Sequence, residues 1–475
     1  AYQMRPLAIE DIRTYFEVSA PERELSNAEL ETLSRVTRGI PLAVKEAADI
    51  WKTGAPLAKI TGDSAEFATG QLVQRMTDRY LQHVVAEADK QAIFALSLAD
   101  GDVELLRAML RPEDGSSFDL EELLRRMERD YASVHANRAR LHDDPAVFIR
   151  EYLQDNVRRT GQRVKALNGR AVEALRARLV TMEEELVTLE ERCTDDDWIQ
   201  AALSLGHYLF WIDEAEAWHW IIPRCVESMA YSPDLGNGLL EVIDDWKALS
   251  ESTERLYHIL RSPEDADALL KVLTKLEDRG WLNGQHAGER QAILELHRGN
   301  HLLRQGQLKA ALDRYAKVES GLPEQGDMLR SQLADAYELL AHRLLWPSDR
   351  YQSVHNDAVE QVLRRVLEWY PARHNAWYLL GVNLGASGQN EAAIEALQQA
   401  ITLNDRFAAA HSALGNVYIA LNRHDEAQAA YDQALTVDPS SSRGHGGLGA
   451  VHQALGHPEQ AIAAYEKAIE SDTQY

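Results

Sequence analysis

The chain has 475 residues, 45% hydrophobic and 26% charged, which is ample for several buried cores and too apolar for a disordered chain. Fifty basic residues against seventy-five acidic ones leave a net charge of -25, a field that repels phosphate and disfavours broad binding to nucleic acid or anionic membrane. No uncharged apolar run is long enough to span a bilayer and the start has no signal-peptide pattern, so neither a membrane span nor a secretory leader is expected.

In chain order, "PLAIEDIRTYFEVSA" and "SNAELETLSRVTRGIPLAVKEAADIWKTG" space apolar residues three and four apart, entered through Asp, Ser or Pro and stopped by Gly. They predict a small helical bundle over residues 1–60. Residues 61–145 begin with short helices in "TGQLVQRMTDRYLQHV", "DKQAIFALSLAD", "DVELLRAML" and "DLEELLRRMERDY". The alternation in "ASVHANRARLHD" then suits a two-stranded wing, so this segment is expected to be a winged-helix domain. Residues 146–194, including "MEEELVTLEER", read as a solvated helical connector, and 195–291 as divergent helical hairpins. Trp198, Trp211, Trp218 and Trp220 crowd the hairpins, where interior aromatics are the better reading than a ligand cage. Cys193 and Cys225 lack CxxC spacing, which argues against a disulfide framework or zinc site and fits a reducing cytoplasm.

Residues 292–475 carry an internal period. Gly381, Gly415 and Gly449 superpose at 34-residue steps, as do Ala393, Ala427 and Ala461, and Ala400, Ala434 and Ala468. Large residues stand at Trp377, Tyr418, Tyr431 and Tyr465, and Pro439 ends one unit. With units at 374–407, 408–441 and 442–475, the pattern resembles tetratricopeptide repeats, in which small residues let paired helices approach closely. Gly299, Ala311, Tyr315 and Pro323 mark a divergent unit near 292–325, and a stretched unit lies between it and Trp377. The expected fold is therefore mainly α: a helical bundle and winged helix followed by an α-solenoid. Ala1 without a methionine and the lack of a polar capping helix at Tyr475 suggest a piece of a longer protein.

Two short motifs resemble a known class. "RGIPLAV" is similar to the Gly-x-Pro-Leu motif in the helical lid of STAND signal-transduction ATPases, the class that contains the NB-ARC proteins. "RLHDDPAVFIREYL" is similar to the His-Asp motif at the end of their winged helix. The order of lid, winged helix, connector and repeat sensor matches too. The resemblance implies that Pro41 packs on the adenine of bound ADP and that His142 reaches its diphosphate, holding the off state. Asp143 would cap the following helix, which it can do in any protein; read locally, His142 is no more than the polar end of a turn.

No Gly-Lys dipeptide occurs anywhere, so the chain has no P-loop to cradle phosphates. ADP or ATP with Mg is expected only with a nucleotide-binding domain upstream of Ala1, and the chain as it stands is not expected to be an enzyme. Metal is not expected either: His297 and His301 share a helix face in "HRGNH" but lack a carboxylate ligand signature. Residues 121–178 carry thirteen basic and nine acidic groups, yet "DLEELLRRMERDY" mixes signs, so a DNA-reading helix is disfavoured.

The first helices of stacked hairpins line an inner groove. Asn375, Tyr378, Val382, Asn416, Ile419, Arg443 and Gln453 are expected to face it, a mixed polar and apolar set suited to a protein or peptide ligand. Two readings follow. In one, the chain is the regulatory and sensor portion of a STAND switch, with ligand-induced oligomerisation as a possible consequence. In the other it is a free-standing repeat scaffold, and a P-loop encoded upstream distinguishes the two.

Overall fold

A computed structural model of the protein describes residues 7–37, 41–52, 56–57, 77–78, 81–82, 84, 86–112, 117–131, 133–141, 146, 149–150, 152–153, 161–261, 266–324, 327–346 and 357–472. Its contacts divide the chain into two units, Ala1–Gly284 and Gln285–Tyr475, a boundary slightly before the expected one at residue 292.

In the first unit, α1 (Ile9–Ser19), α2 (Asn27–Thr37) and α3 (Pro41–Trp51) enclose Ile12, Phe16, Leu30, Leu33, Val44 and Trp51. The apolar residues recur three and four apart on each helix, so each presents one stripe to this core. The Arg23 guanidinium lies 3.7 Å over the Trp51 ring and covers its open face.

Three further helices follow, α4 (Glu87–Ala99), α5 (Val103–Leu110) and α6 (Leu120–Asp130). Asp102 and Asp119 start α5 and α6 by accepting the amides of Leu105 and Glu122 at 2.9 and 3.1 Å. A short hairpin then pairs β1 (Val134–His135) antiparallel with β2 (Arg140–Leu141), Val134 opposite Leu141. It lies inside the segment assigned to a wing. Asp89 of α4, only 4% exposed, holds this group together. Its carboxylate accepts from Arg126 Nη2 on α6 at 2.6 Å and from the Tyr131 hydroxyl, just before the hairpin, at 2.8 Å.

The Arg126 hydrogen bond, and after it that of Tyr131, holds the Asp89 carboxyl below the usual carboxylate range. A depressed folded-state pKa stabilises the fold above the unfolded value, and that contribution is lost as pH falls through the folded one. Asp89→Asn is accordingly expected to cost about 1–3 kcal/mol at neutral pH. It should also flatten the acid limb of a stability profile followed by circular dichroism, and an unchanged acid limb would remove Asp89 from this role.

The long helix α7 (Gly161–Glu185) corrects the expectation of a solvated connector. Val164, Leu167, Ala171, Leu175 and Leu179 are all buried along one of its faces. That face packs against α5 and α9 (Asp196–Ile212), leaving the charged residues of α7 on the solvent side. The acidic run "MEEELVTLEER" is interrupted, because Thr188 and Glu191 form a capping box that starts α8 (Leu189–Thr194).

After α9 come α10 (Glu214–Tyr231), α11 (Pro233–Trp246), α12 (Glu251–Arg261) and α13 (Ala266–Asp278). Trp198, Trp211 and Trp218 are buried here as interior aromatics, and Trp246 joins them. The Trp246 ring stands edge-on to Trp211 at 5.0 Å and stacked on Phe210 at 5.6 Å. Trp220 is only half buried, with Arg224 3.7 Å over its ring. The Tyr208 hydroxyl donates to the Leu98 carbonyl at 2.7 Å, tying α9 back to α4.

The second unit is a run of helical pairs. α14 (Ala287–Arg304) pairs with α15 (Leu308–Glu319), and α16 (Met328–Leu345) with α17 (Asp357–Trp369). Then follow α18 (His374–Ala386) with α19 (Asn390–Leu403), α20 (Ala408–Ala420) with α21 (His424–Val437), and α22 (Ser442–Ala454) with α23 (Pro458–Asp472). Each pair packs on the next, and first helices of successive pairs also touch one another, which is how stacked hairpins build a solenoid. Among the described residues no helix is long and apolar enough to cross a membrane.

Candidate functional site

The geometry of the repeats follows from a few spacings. A Cβ added at Gly299, Gly381, Gly415 or Gly449 would come within 2.4 to 2.7 Å of Tyr315, Leu397, Tyr431 or Tyr465 respectively. Each glycine of a first helix is thus the seat of one large side chain from its second helix. Where that side chain is tyrosine, the hydroxyl needs an acceptor. Tyr315 donates to Asn300 at 2.8 Å and Tyr431 to Asn416 at 2.6 Å. Where it is Leu397, the position equivalent to Asn416 is Val382, and no acceptor is required. In the last pair that position is Ala450, and Tyr465 donates instead to Gln453, one turn further on, at 2.9 Å.

This bears on the seven residues expected to line the groove. Asn416 and Gln453 are exposed, but each spends its side-chain oxygen on the tyrosine of its own pair, so their first task is to hold the hairpins. Val382 and Ile419 are half buried. Asn375 donates to Glu338 Oε2 at 2.6 Å, while Arg373 donates to Glu338 Oε1 at 3.2 Å, so one carboxylate of α16 anchors the start of α18.

Tyr378 and Arg443 belong to a different arrangement. The Tyr378 ring is stacked on Trp346 with centroids 6.4 Å apart and stands edge-on to Phe407 at 5.0 Å. His342 packs on Trp346 at 4.7 Å and His374 on Phe407 at 5.1 Å. The Arg443 guanidinium, from the last pair, stands beside the Tyr378 hydroxyl. Burial raises that hydroxyl above the usual phenol range, against the pull of Arg443. His342 is pushed down, first by burial and then by the charges of Arg443 and Arg343. Tyr378 itself is only 7% exposed, so the open part of this cluster is the half-buried Trp346 and Phe407 rings with one guanidinium at the edge, able to hold an apolar side chain and pair with an anion.

Trp346, Phe407, Glu338 and His342 were not among the residues singled out from sequence. Glu338, His342 and Trp346 sit in the stretched unit, where the 34-residue register gives no alignment; Phe407 closes the unit 374–407, where its equivalent in the next unit is Ser441, so the repeat pattern does not mark it.

The residues tied to nucleotide fall largely outside this description. His142 and Asp143 lie outside the described residues, and Pro41 is the first residue of α3, where proline's fixed φ suits a helix start. The side chain of Pro41 is likewise outside them. His301 lies 2.8 Å from the amide of Gln305, and no group of three or more His, Cys, Asp or Glu side chains converges on a metal position among the described residues.

Residues 384–451 and 418–475 match the profile of the tetratricopeptide repeat family. These are tetratricopeptide repeats. Part of the chain is also similar to solved structures. One structure of MamA shares 24% identity over 37% of this chain and 95% of MamA, at a TM-score of 0.31. A MamA double mutant shares 20% over 39% and 96%, at 0.32. A thermophilic TPR protein of Thermus thermophilus shares 22% over 38% and 91%, at 0.29. No curated protein matches the chain. Tetratricopeptide repeats over residues 384–475 suggest protein–protein interaction by this part of the chain.

Proposed function

We propose that the tetratricopeptide groove binds a peptide segment of a protein partner at the surface built by Trp346, Tyr378 and Phe407. An apolar side chain of the partner would lie on the half-buried Trp346 and Phe407 rings, with Tyr378 packed between them as support, and an acidic group would meet Arg443. The observation that carries the reading is this aromatic surface with a guanidinium from another repeat at its edge. Val382 and Ile419 on neighbouring first helices would extend the contact, and Asn375 would border it.

A photo-crosslinking residue placed at Val382 in the whole protein is expected to capture a partner. The double change Tyr378→Ala with Arg443→Glu should weaken that partner by about thirtyfold or more, as loss of a binding hot spot does. Capture at undiminished strength in the double variant would show that the groove is not the binding surface.

The STAND reading gives the same groove a larger context. Ligand would bind better to an open state and so release an ADP-held off state. What supports it is the order of residues 87–141, three helices and then a two-stranded hairpin, ahead of the repeats. Under it, His142→Ala in the intact protein should speed ADP release, whereas unchanged release, or a gene with no upstream P-loop, favours the free-standing scaffold.

A further inference from the structure

A cleft of about 630 Å³ opens in the first unit between the start of α10, α12 and α13. Its floor is apolar. Trp218 is only 3% exposed and is fixed there by its indole N–H, which donates to Thr253 Oγ1 at 3.2 Å. Leu256 and Leu276 flank it, and Trp281 forms a wall, its ring stacked on His219 at 4.2 Å.

The polar lining carries three cations against two carboxylates. Arg255, Lys275 and Arg279 all line the cleft, and none of them makes a hydrogen bond or ion pair with another described residue. Two carboxylates line it as well, but both are engaged. Glu214 accepts the hydroxyls of Ser250 and Thr253, the latter at 2.7 Å, and Asp213 caps α10 through the amide of Glu216 at 3.0 Å. In a chain of net charge -25, three cations without a partner among the described residues, around one cleft with an apolar floor, run against the general field.

We propose that this cleft binds a small organic anion that carries a flat apolar ring. The ring would lie against Trp218, Leu256 and Leu276, and the anionic group would face Arg255, Lys275 and Arg279. The volume is that of a small-molecule pocket. The site is separate from the tetratricopeptide groove and does not depend on the reading given to it.

The test is calorimetric titration of the whole protein with 2-naphthoate and with its uncharged counterpart 2-naphthamide. Naphthoate should bind about tenfold more tightly or better, since only it can use the cations. The double variant Lys275→Glu with Arg279→Glu should abolish the difference without changing the thermal melt, because both side chains are exposed. Trp281→Ala should weaken both ligands. Equal affinities for the two ligands, or naphthoate binding unchanged in the charge-reversed variant, would overturn the proposal. So would an acidic, tryptophan-bearing peptide that binds this cleft when naphthoate does not.

Discussion

Replacing Trp246 with alanine is expected to destabilise the first unit by about 3–5 kcal/mol, the range for deleting a large buried aromatic. Trp246 is 2% exposed and bridges α11 to α9 through Trp211 and Phe210, so neither helix can close over the space it leaves. Trp246→Phe should cost distinctly less, since the Trp246 indole nitrogen makes no hydrogen bond among the described residues. Urea unfolding followed by circular dichroism, with the transition of the first unit resolved from that of the repeats, measures both; equal losses would mean that shape, not ring volume, sets the cost. The same cluster has a pH signature. Burial, reinforced by the charge of Arg150, pushes the neighbouring His207 imidazole down to about 4. The unfolded chain then takes up its proton first, so this contribution is complete above the unfolded histidine pKa of about 6.5 and falls away as pH drops toward 4.

Two adjacent glycines of α22 should respond in opposite directions. At Gly447 an added Cβ would lie 2.1 Å from the Tyr431 ring, which is wholly buried and already seated on Gly415. Gly447→Ala is therefore expected to destabilise the repeats by about 1–3 kcal/mol through overpacking. At Gly446 the nearest atom would be the Ala468 methyl at 3.9 Å, an ordinary contact. Gly446→Ala should stabilise by about 0.5–1 kcal/mol, the helix-propensity difference between the two residues. Thermal unfolding of the paired variants decides the matter, and the idea fails if both shift the melt the same way.

Much of this architecture is legible in the sequence because it repeats. The glycine and alanine steps fix the pairing of α18 with α19, α20 with α21 and α22 with α23, and even the exchange of Tyr431 with Asn416 for Leu397 with Val382 follows the register. The burial of α7 was harder to see: Val164, Leu167, Ala171, Leu175 and Leu179 do recur at helical spacing, but dense charge between them masks the stripe. The aromatic surface was half seen. Tyr378 and Arg443 lie on first helices and were singled out, whereas Trp346 comes from the stretched unit outside the register and Phe407 from a unit-closing position that is serine in the next repeat. Asn416 and Gln453 were read as groove residues, and each also accepts the tyrosine hydroxyl of its own pair, that of Tyr431 or of Tyr465.

Arg443 has a further consequence. In a solenoid each hairpin normally feels only its two neighbours, so opening at one end travels inward step by step. Arg443, on the last pair, stands beside Tyr378, two pairs back, and its charge reaches His342 on the pair before that. That influence skips the neighbouring pair. An anion drawn to Arg443 would then be felt electrostatically at Tyr378 and His342 as well as in its own pair.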